Sequence, residues 1–158
     1  MKKIKYGYIS PINYLHLIPE DQTFHLVLTH YLKNQTYLDF YKRKQERGDT
    51  IICDNMAFEL KKSLPAEELI SVVEASGLNP TYVVAPDYPY KDWKVTWDST
   101  LAFIEEVKDK PYKVMAVPQS IEGDWTGWLR GYQLMANHPD IAVIGMSIIG
   151  IPNAFCKL

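Results

Sequence analysis

Three positions in this chain place reactive or hydrogen-bonding side chains at the same kind of boundary. Ile51-Ile52-Cys53 runs into Asp54-Asn55, Tyr82-Val83-Val84-Ala85 runs into Pro86-Asp87, and Val114-Met115-Ala116-Val117 runs into Pro118-Gln119. Short apolar, β-branched runs read as buried strands. Asp, Asn and Pro break such runs into turns. Two carboxylates and one amide are therefore delivered at the tips of three successive strands. Neighbouring parallel strands lie about 5 Å apart, so the three side chains can converge on one small ligand. A carboxylate accepts from ring N–H and amino groups, and a glutamine both donates and accepts, which suits a purine-like base. A carboxylate pair equally serves as acid and base, or as nucleophile and base. The competing explanation is that Asp54 and Asp87 only cap the turns or helices that follow. Three such residues in register at a carboxyl edge favour a site.

Other residues near these boundaries have two readings each. Phe58 can stack on a planar ligand or pack the turn. Tyr88 and Tyr90 flank Pro89 and can stack on a base, but Pro-Tyr loops are also packing devices. His30 ends an earlier strand in the same layer, where a lone histidine is more often a structural hydrogen-bonding residue than a catalyst. Trp125 and Trp128 are expected to seat a helix. Lys42, Arg43, Lys44 and Arg47 form a basic cluster on another helix, read as a solvated face before a phosphate contact.

The elements that must hold these residues alternate regularly. Ile4 to Ile9 reads as a first short strand, and Ser10 to Gln22 as a loop or short helical turn punctuated by Pro11 and Pro19. Phe24 to Leu28 is a strand ending at Thr29-His30. Asn34 caps a helix running to about Arg47, with Tyr37, Leu38, Phe40 and Tyr41 on its apolar side and Gly48 as its stop. After the strand ending at Asp54, Ser63-Leu64-Pro65-Ala66-Glu67 starts a helix through a capping Ser or a Leu-Pro entry. Its inward residues are Leu69, Ile70, Val72 and Val73, and Gly77 ends it. Trp93 to Lys110 is a long helix with Trp97, Leu101, Ile104 and Val107 as its stripe. A strand over Lys113 to Val117, a helix over Asp124 to Asn137 and a strand over Ile141 to Gly145 follow.

Strand and helix thus repeat at roughly 30 residues, the size of a βαβ unit, and helices long enough to cross over imply a parallel sheet. No G-x-G-x-x-G or Walker A loop follows any strand, which argues against a dinucleotide or P-loop fold. An open doubly wound sheet and part of a (β/α)8 barrel both fit. A full barrel takes about 250 residues, and this chain has 158 with five or six strands. It reads as the first part of a TIM-type (β/α)8 barrel, truncated or split, with residues 1–158 as one partial domain.

Bulk properties narrow the classes. Hydrophobic residues make up 47% of the chain, enough for a packed core and against disorder. The net charge of −2 gives no global attraction to nucleic acid, although a local patch is compatible with it. Cys53 and Cys156 form no CxxC or Cys/His group of metal spacing, so no metal or cofactor is expected and a reduced, cytoplasmic setting is. The basic start Met1-Lys2-Lys3-Ile4-Lys5 lacks the apolar core of a signal peptide. No run nears the roughly 20 apolar residues that span a bilayer.

The motifs Asp54 to Glu59 (DNMAFE), Val83 to Pro89 (VVAPDYP), Met115 to Ser120 (MAVPQS) and Ile144 to Ser147 (IGMS) resemble the successive strand-end motifs of the tRNA-guanine transglycosylases. They are most similar to those of phage and bacterial relatives that insert 7-deazaguanine derivatives into DNA. The similarity runs from about Phe24 to Phe155. It implies a (β/α)8 barrel that breaks the glycosidic bond of a guanine in DNA or tRNA and installs a deazaguanine base. It implies that Asp54 acts in proton transfer and substrate positioning and that Phe58 stacks on the base. Asp87 would recognise the base edge, Gln119 would contact the base carbonyl, and Gly145 would lie at or near a backbone contact.

The departures are specific. Met56 and Ala57 replace a glycine pair, and Ser120 stands where a glycine is common. The family's nucleophilic aspartate and its Cys/His zinc site lie on later elements, so neither is assigned here. The resemblance therefore implies a fragment or split subunit, with a homo- or hetero-oligomer completing the barrel, in the host cytoplasm if the chain is phage-encoded. A non-catalytic purine- or deazaguanine-binding module or partner subunit is the main alternative. A base-excising glycosylase, in which water completes the reaction, is another. A compact α/β protein whose strand-end acids are only caps is the third.

Overall fold

A computed structural model describes residues 4–60 and 62–147. Cys156 and the stretch Ile151 to Leu158 lie outside the described residues. Five strands form one parallel sheet: β1 (Phe24–Leu28), β2 (Thr50–Asp54), β3 (Tyr82–Val84), β4 (Lys113–Ala116) and β5 (Ile141–Ile144). They lie side by side in chain order. The crossovers are α1 (Gln35–Glu46), α2 (Ala66–Ser76), α3 (Trp93–Val107) and α4 (Trp125–Ala136). The α/β class and the parallel sheet are as the alternating pattern predicts.

Sequential order has a geometric consequence. Crossovers between parallel strands are right-handed, so four of them advancing in one direction put all four helices on one face. Helix contacts accordingly run from α2 to α3 and from α3 to α4. The register lines up Val27, Cys53, Val83 and Val114 across four strands. These side chains belong to the main core with Tyr37, Tyr41, Leu69, Val73, Phe103 and Ile104 from the helices. Alternation along each strand sends Leu26, Ile52, Tyr82, Val84, Met115 and Val143 to the other face, outside that core cluster.

Local chemistry explains most boundaries. Asn34 accepts a hydrogen bond from the Tyr37 N–H at 3.1 Å and caps α1. Gly77 ends α2 with φ of 65°, a left-handed conformation that glycine adopts without penalty. Asp124 caps α4 by accepting from the Gly127 N–H at 2.9 Å. Ile4 to Ile9, expected as a strand, differ from expectation. They make an isolated parallel bridge, Tyr8 to His25, instead of a strand. A 3-10 helix, Ile12–Leu17, connects them to β1, and a second one, Thr29–Lys33, leaves β1.

Helix α3 buries a face rotated from the expected stripe. Thr96, Thr100, Phe103, Ile104 and Val107 are buried, whereas Trp97 and Leu101 are only half-buried. The threonines spend their hydroxyls locally, which is what lets them sit inside. Thr100 donates to the Thr96 carbonyl at 2.9 Å, and the Thr96 hydroxyl accepts from the Tyr88 N–H at 3.0 Å.

The basic cluster on α1 divides. Lys44 is buried, with its ammonium 5.4 Å from the Phe40 ring centroid. Arg47 forks onto Asp49 at 3.1 and 2.6 Å and also donates to the Glu20 and Gln22 carbonyls. Asp49 in turn accepts from the buried His25 Nε2–H at 3.0 Å. Burial alone would raise the Asp49 acid, but the bonds from Arg47 and His25 outweigh it and hold the group below the usual carboxylate range. Burial pushes His25 below its ordinary value, against the opposing influence of Asp49, so it sits there neutral. Two of the four cations thus tie the N-terminal end of the sheet together. Replacing Asp49 with alanine orphans a buried imidazole N–H and half of the guanidinium, and is expected to cost about 2 kcal/mol in urea unfolding.

Candidate functional site at the carboxyl ends of the strands

The tip of β2 is built from two consecutive turns in which a side chain accepts from the backbone two residues on. Asp54 Oδ2 accepts from the Met56 N–H at 3.2 Å, and Asn55 Oδ1 from the Ala57 N–H at 2.9 Å. Asp and Asn favour this geometry because their short side chains reach their own backbone. The chain turns sharply at Met56, which is buried with φ of 69°. A non-glycine residue there carries a conformational cost of order 1 kcal/mol. This is one of the two positions where the similar motif has glycine. The Thr29 hydroxyl anchors the turn from β1 by donating to the Asp54 carbonyl at 2.5 Å.

Asp87 and Gln119 meet above β3 and β4. Gln119 Nε2 donates to Asp87 Oδ2 at 2.5 Å. From the other side Asn55 Nδ2 donates to Asp87 Oδ1 at 2.5 Å and to the Ala85 carbonyl at 2.7 Å. The trio is closed off from solvent, with Asn55 2% exposed, Asp87 4% and Gln119 3%. Ser63 fixes the Asp87 backbone at both ends. Its hydroxyl donates to the Asp87 carbonyl at 2.5 Å and accepts from the Asp87 N–H at 3.0 Å. Below Gln119, the buried Trp128 donates its indole N–H to the Pro118 carbonyl at 3.1 Å.

Electrostatics separate the two acids. Burial, then the charges of Glu59 and Asp87, raise Asp54 to about 6 against the Met56 N–H bond. Burial raises Asp87 too, opposed by the amide donors of Asn55 and Gln119. Asp54 is therefore the acid of the pair that is partly accessible and exchanges its proton near neutrality. Its neighbour His30 is held neutral by burial, with Nδ1 3.3 Å from the Met56 sulfur. Burial pushes the Cys53 thiol up to about 12, which leaves it unreactive beneath the site.

Of the residues singled out from sequence, Asp87 and Gln119 are in direct contact, and Asp54 sits one strand away within reach of the Asp87 charge. Phe58, at 58% exposure, stands at the rim in the loop after β2. Tyr90 and Met146 are also exposed, on the loops after β3 and β5, and Trp125 is exposed at the first position of α4. Trp128 packs α4 as expected, and Trp125 does not.

Gly145 follows β5, and its N–H donates to the Ala116 carbonyl at 2.8 Å. A Cβ there would stand 2.6 Å from the Met115 terminal methyl and 2.9 Å from a Val117 methyl. The Met115 side chain can swing away more easily than the stiff valine. Gly145→Ala is expected to lower stability by about 1 kcal/mol in thermal melts, at the low end for overpacking.

Two residues of the site carry weight that the sequence reading did not assign. From sequence Asn55 reads only as a strand breaker, although an amide between two strand-end acids is a ready bridge. Of the two helix starts the sequence offers, a capping Ser63 or a Leu64-Pro65 entry, the second holds: Pro65 occupies the cap position of α2, and Ser63 reaches across to β3. Nothing in its local sequence signals that contact.

A cleft of about 670 Å³ lies elsewhere, between α1 and α2, lined by Leu32, Leu38, Pro65, Glu67 and Val72 among others. It holds no convergent reactive set. Among the described residues, no group of three or more His, Cys, Asp or Glu side chains is arranged to hold a metal ion. Among them too, no helix is long and apolar enough to cross a membrane. No protein-family profile matches the chain, and no curated protein and no solved structure matches it either.

Proposed function

We propose that this chain is the base-binding part of a base-exchange glycosyltransferase that replaces guanine in DNA or tRNA with a 7-deazaguanine derivative. The observation that carries the reading is the convergence of Asp87 and Gln119 at 2.5 Å beside an Asp54 raised to about 6. A carboxyl poised there can protonate a departing base and take the proton back from an incoming one. Phe58, exposed at the rim, supplies the stacking face. The bond that breaks is the glycosidic C–N bond, displaced by a nucleophile from outside the described residues. The five strands, with helices on one face, form an arc of a (β/α)8 barrel. A homo- or hetero-oligomer is the proposed source of the remaining strands, because among the described residues β5 pairs only with β4 and its other side offers unpaired backbone groups.

The test is titration of the full chain with guanosine and with 7-deazaguanine by calorimetry, followed by an assay for labelled deazaguanine entering guanine-containing DNA or tRNA. Binding is expected for wild type, with Asp54→Asn reducing exchange by about 100-fold or more, in line with loss of a general acid–base group. Exchange is expected to require the completing subunit. Identical heats for wild type and Asp87→Ala would remove Asp87 and its partners from base binding. A clean monomer by light scattering at every concentration would remove the oligomer.

A further inference from the structure

Large apolar side chains crowd the surface at the β1 end of the sheet. Between Ile4 and Leu17, six of them stand in solvent: Ile4, Tyr6, Tyr8, Ile9, Tyr14 and Leu17. Ile4 is 92% exposed, and Tyr6 and Leu17 are each 66% exposed. Apolar residues scattered singly over a surface are ordinary, but a run of them marks a contact. Alternation in an extended segment puts Ile4, Tyr6 and Tyr8 on one side, and the Tyr6 and Tyr8 rings meet edge to face at 6.0 Å. In the 3-10 helix Ile12–Leu17, positions three apart eclipse each other. Tyr14 and Leu17 therefore share the outer side, while Leu15 enters the core. The backbone beneath the tyrosines is clamped to β1. Tyr8 bridges to His25, and the Gln22 amide donates to the carbonyls of Tyr6 and Phe24. Gly7 passes so close that a Cβ there would stand 2.8 Å from the Phe24 carbonyl oxygen. A stretch held this firmly, with its side chains left in solvent, is a preformed surface.

We propose that this face is where two copies of the chain meet across a two-fold axis. Area and charge both point to a second copy. At roughly 150–200 Å² for each side chain, the exposed fractions leave on the order of 600 Å² of largely apolar surface. That is near the roughly 800 Å² that each partner gives a standard interface. Two-fold association sets a face against itself, which a strongly charged surface resists. Here Lys2, Lys3 and Lys5 stand against Glu20 and Asp21, so the charge nearly balances. The same near-balance gives a phosphate backbone little to hold. Tyrosine and aliphatic side chains pack well on their own kind. The face lies at the opposite end of the strand order from β5. It is thus separate from any contact that adds strands at β5, and it does not rest on the base-exchange reading.

Sedimentation equilibrium of the full chain tests this. Wild type is expected to show a monomer–dimer equilibrium. Tyr6→Ser combined with Leu17→Ser should weaken the dimer by about 30-fold or more, as for the loss of central contact residues. Both side chains are exposed, so circular dichroism should report an unchanged fold. Leu134→Ser, at an exposed leucine on α4, should leave the dimer as strong as in wild type. Two-fold symmetry makes a sharper demand. Tyr6→Glu and Tyr6→Lys chains each set like charges against each other and should associate weakly alone, whereas an equal mixture should recover the dimer. A mixture no tighter than its components overturns the proposal. So does a chain that stays monomeric at every concentration, or a dimer that the Tyr6 and Leu17 changes leave intact. A monomer that instead binds single-stranded oligonucleotide, and loses it with Tyr6→Ser, would give the face to nucleic acid and overturn the proposal as well.

Discussion

Asp87→Ala is expected to destabilise the fold by about 4 kcal/mol, on the order of 2 kcal/mol for each of two buried amides left without an acceptor. Asn55 and Gln119 are both nearly inaccessible to solvent, so water replaces the lost carboxylate poorly. For a chain of 158 residues the melting temperature should fall by about 10 °C. The double change Asp87→Ala with Gln119→Leu removes one orphaned donor along with its acceptor. It should recover roughly half of the loss, because paired removal of partners is far cheaper than removal of one. A single-variant loss under 1 kcal/mol in urea titrations would mean that the three side chains are not holding one another.

The opposite sign is expected at Asp54. Its folded-state acid sits at about 6, against roughly 3.9 in an unfolded chain. The folded protein thus binds this proton more tightly than the unfolded one. Wild-type stability attributable to Asp54 is greatest below about pH 4, falls as the pH rises toward 6, and stays low above that. The shift corresponds to about 3 kcal/mol at most. Asp54→Asn keeps an oxygen to accept from the Met56 N–H but carries no charge to desolvate. At pH 7.5 the variant is expected to be more stable than wild type by up to about 3 kcal/mol, and near pH 4 the two should coincide. Parallel pH profiles of unfolding free energy would show that Asp54 is not held as an elevated acid. A variant that gains stability while losing exchange activity would mark the position as one where strain serves chemistry.

The parts of this fold that were legible in the sequence are those decided within a few residues. Asn34 and Gly77 act on their own helix ends, and Ile51-Ile52-Cys53 is apolar enough to be a strand anywhere. Alternation of such units then leaves little freedom in the topology. What sequence did not disclose depends on contacts between units. The apolar stripe of α3 predicts Ile104 and Val107 as buried but points to Trp97 and Leu101, which are larger and more apolar than the Thr96 and Thr100 that go inside. The threonines go inside because each spends its hydroxyl on a nearby backbone group. Ile4 to Ile9 have a strand pattern but make only one bridge to β1. Within the site, the strand-end positions of Asp54, Asp87 and Gln119 followed from the breaks in the apolar runs. The bridging role of Asn55 and the clamp from Ser63 did not, since each is defined by a partner more than 20 residues away.

The neighbour-by-neighbour order of the strands bears on how the chain is made. Each strand from β2 onward pairs with the one preceding it in sequence, so a partner has already emerged from the ribosome when each new strand appears. No early segment waits for a late one, and the loops to be closed stay short, which favours rapid folding. Winding can then proceed vectorially during synthesis, one unit at a time. Ribosome-stalled chains ending beyond β3 should already protect the β1 and β2 amides from hydrogen exchange.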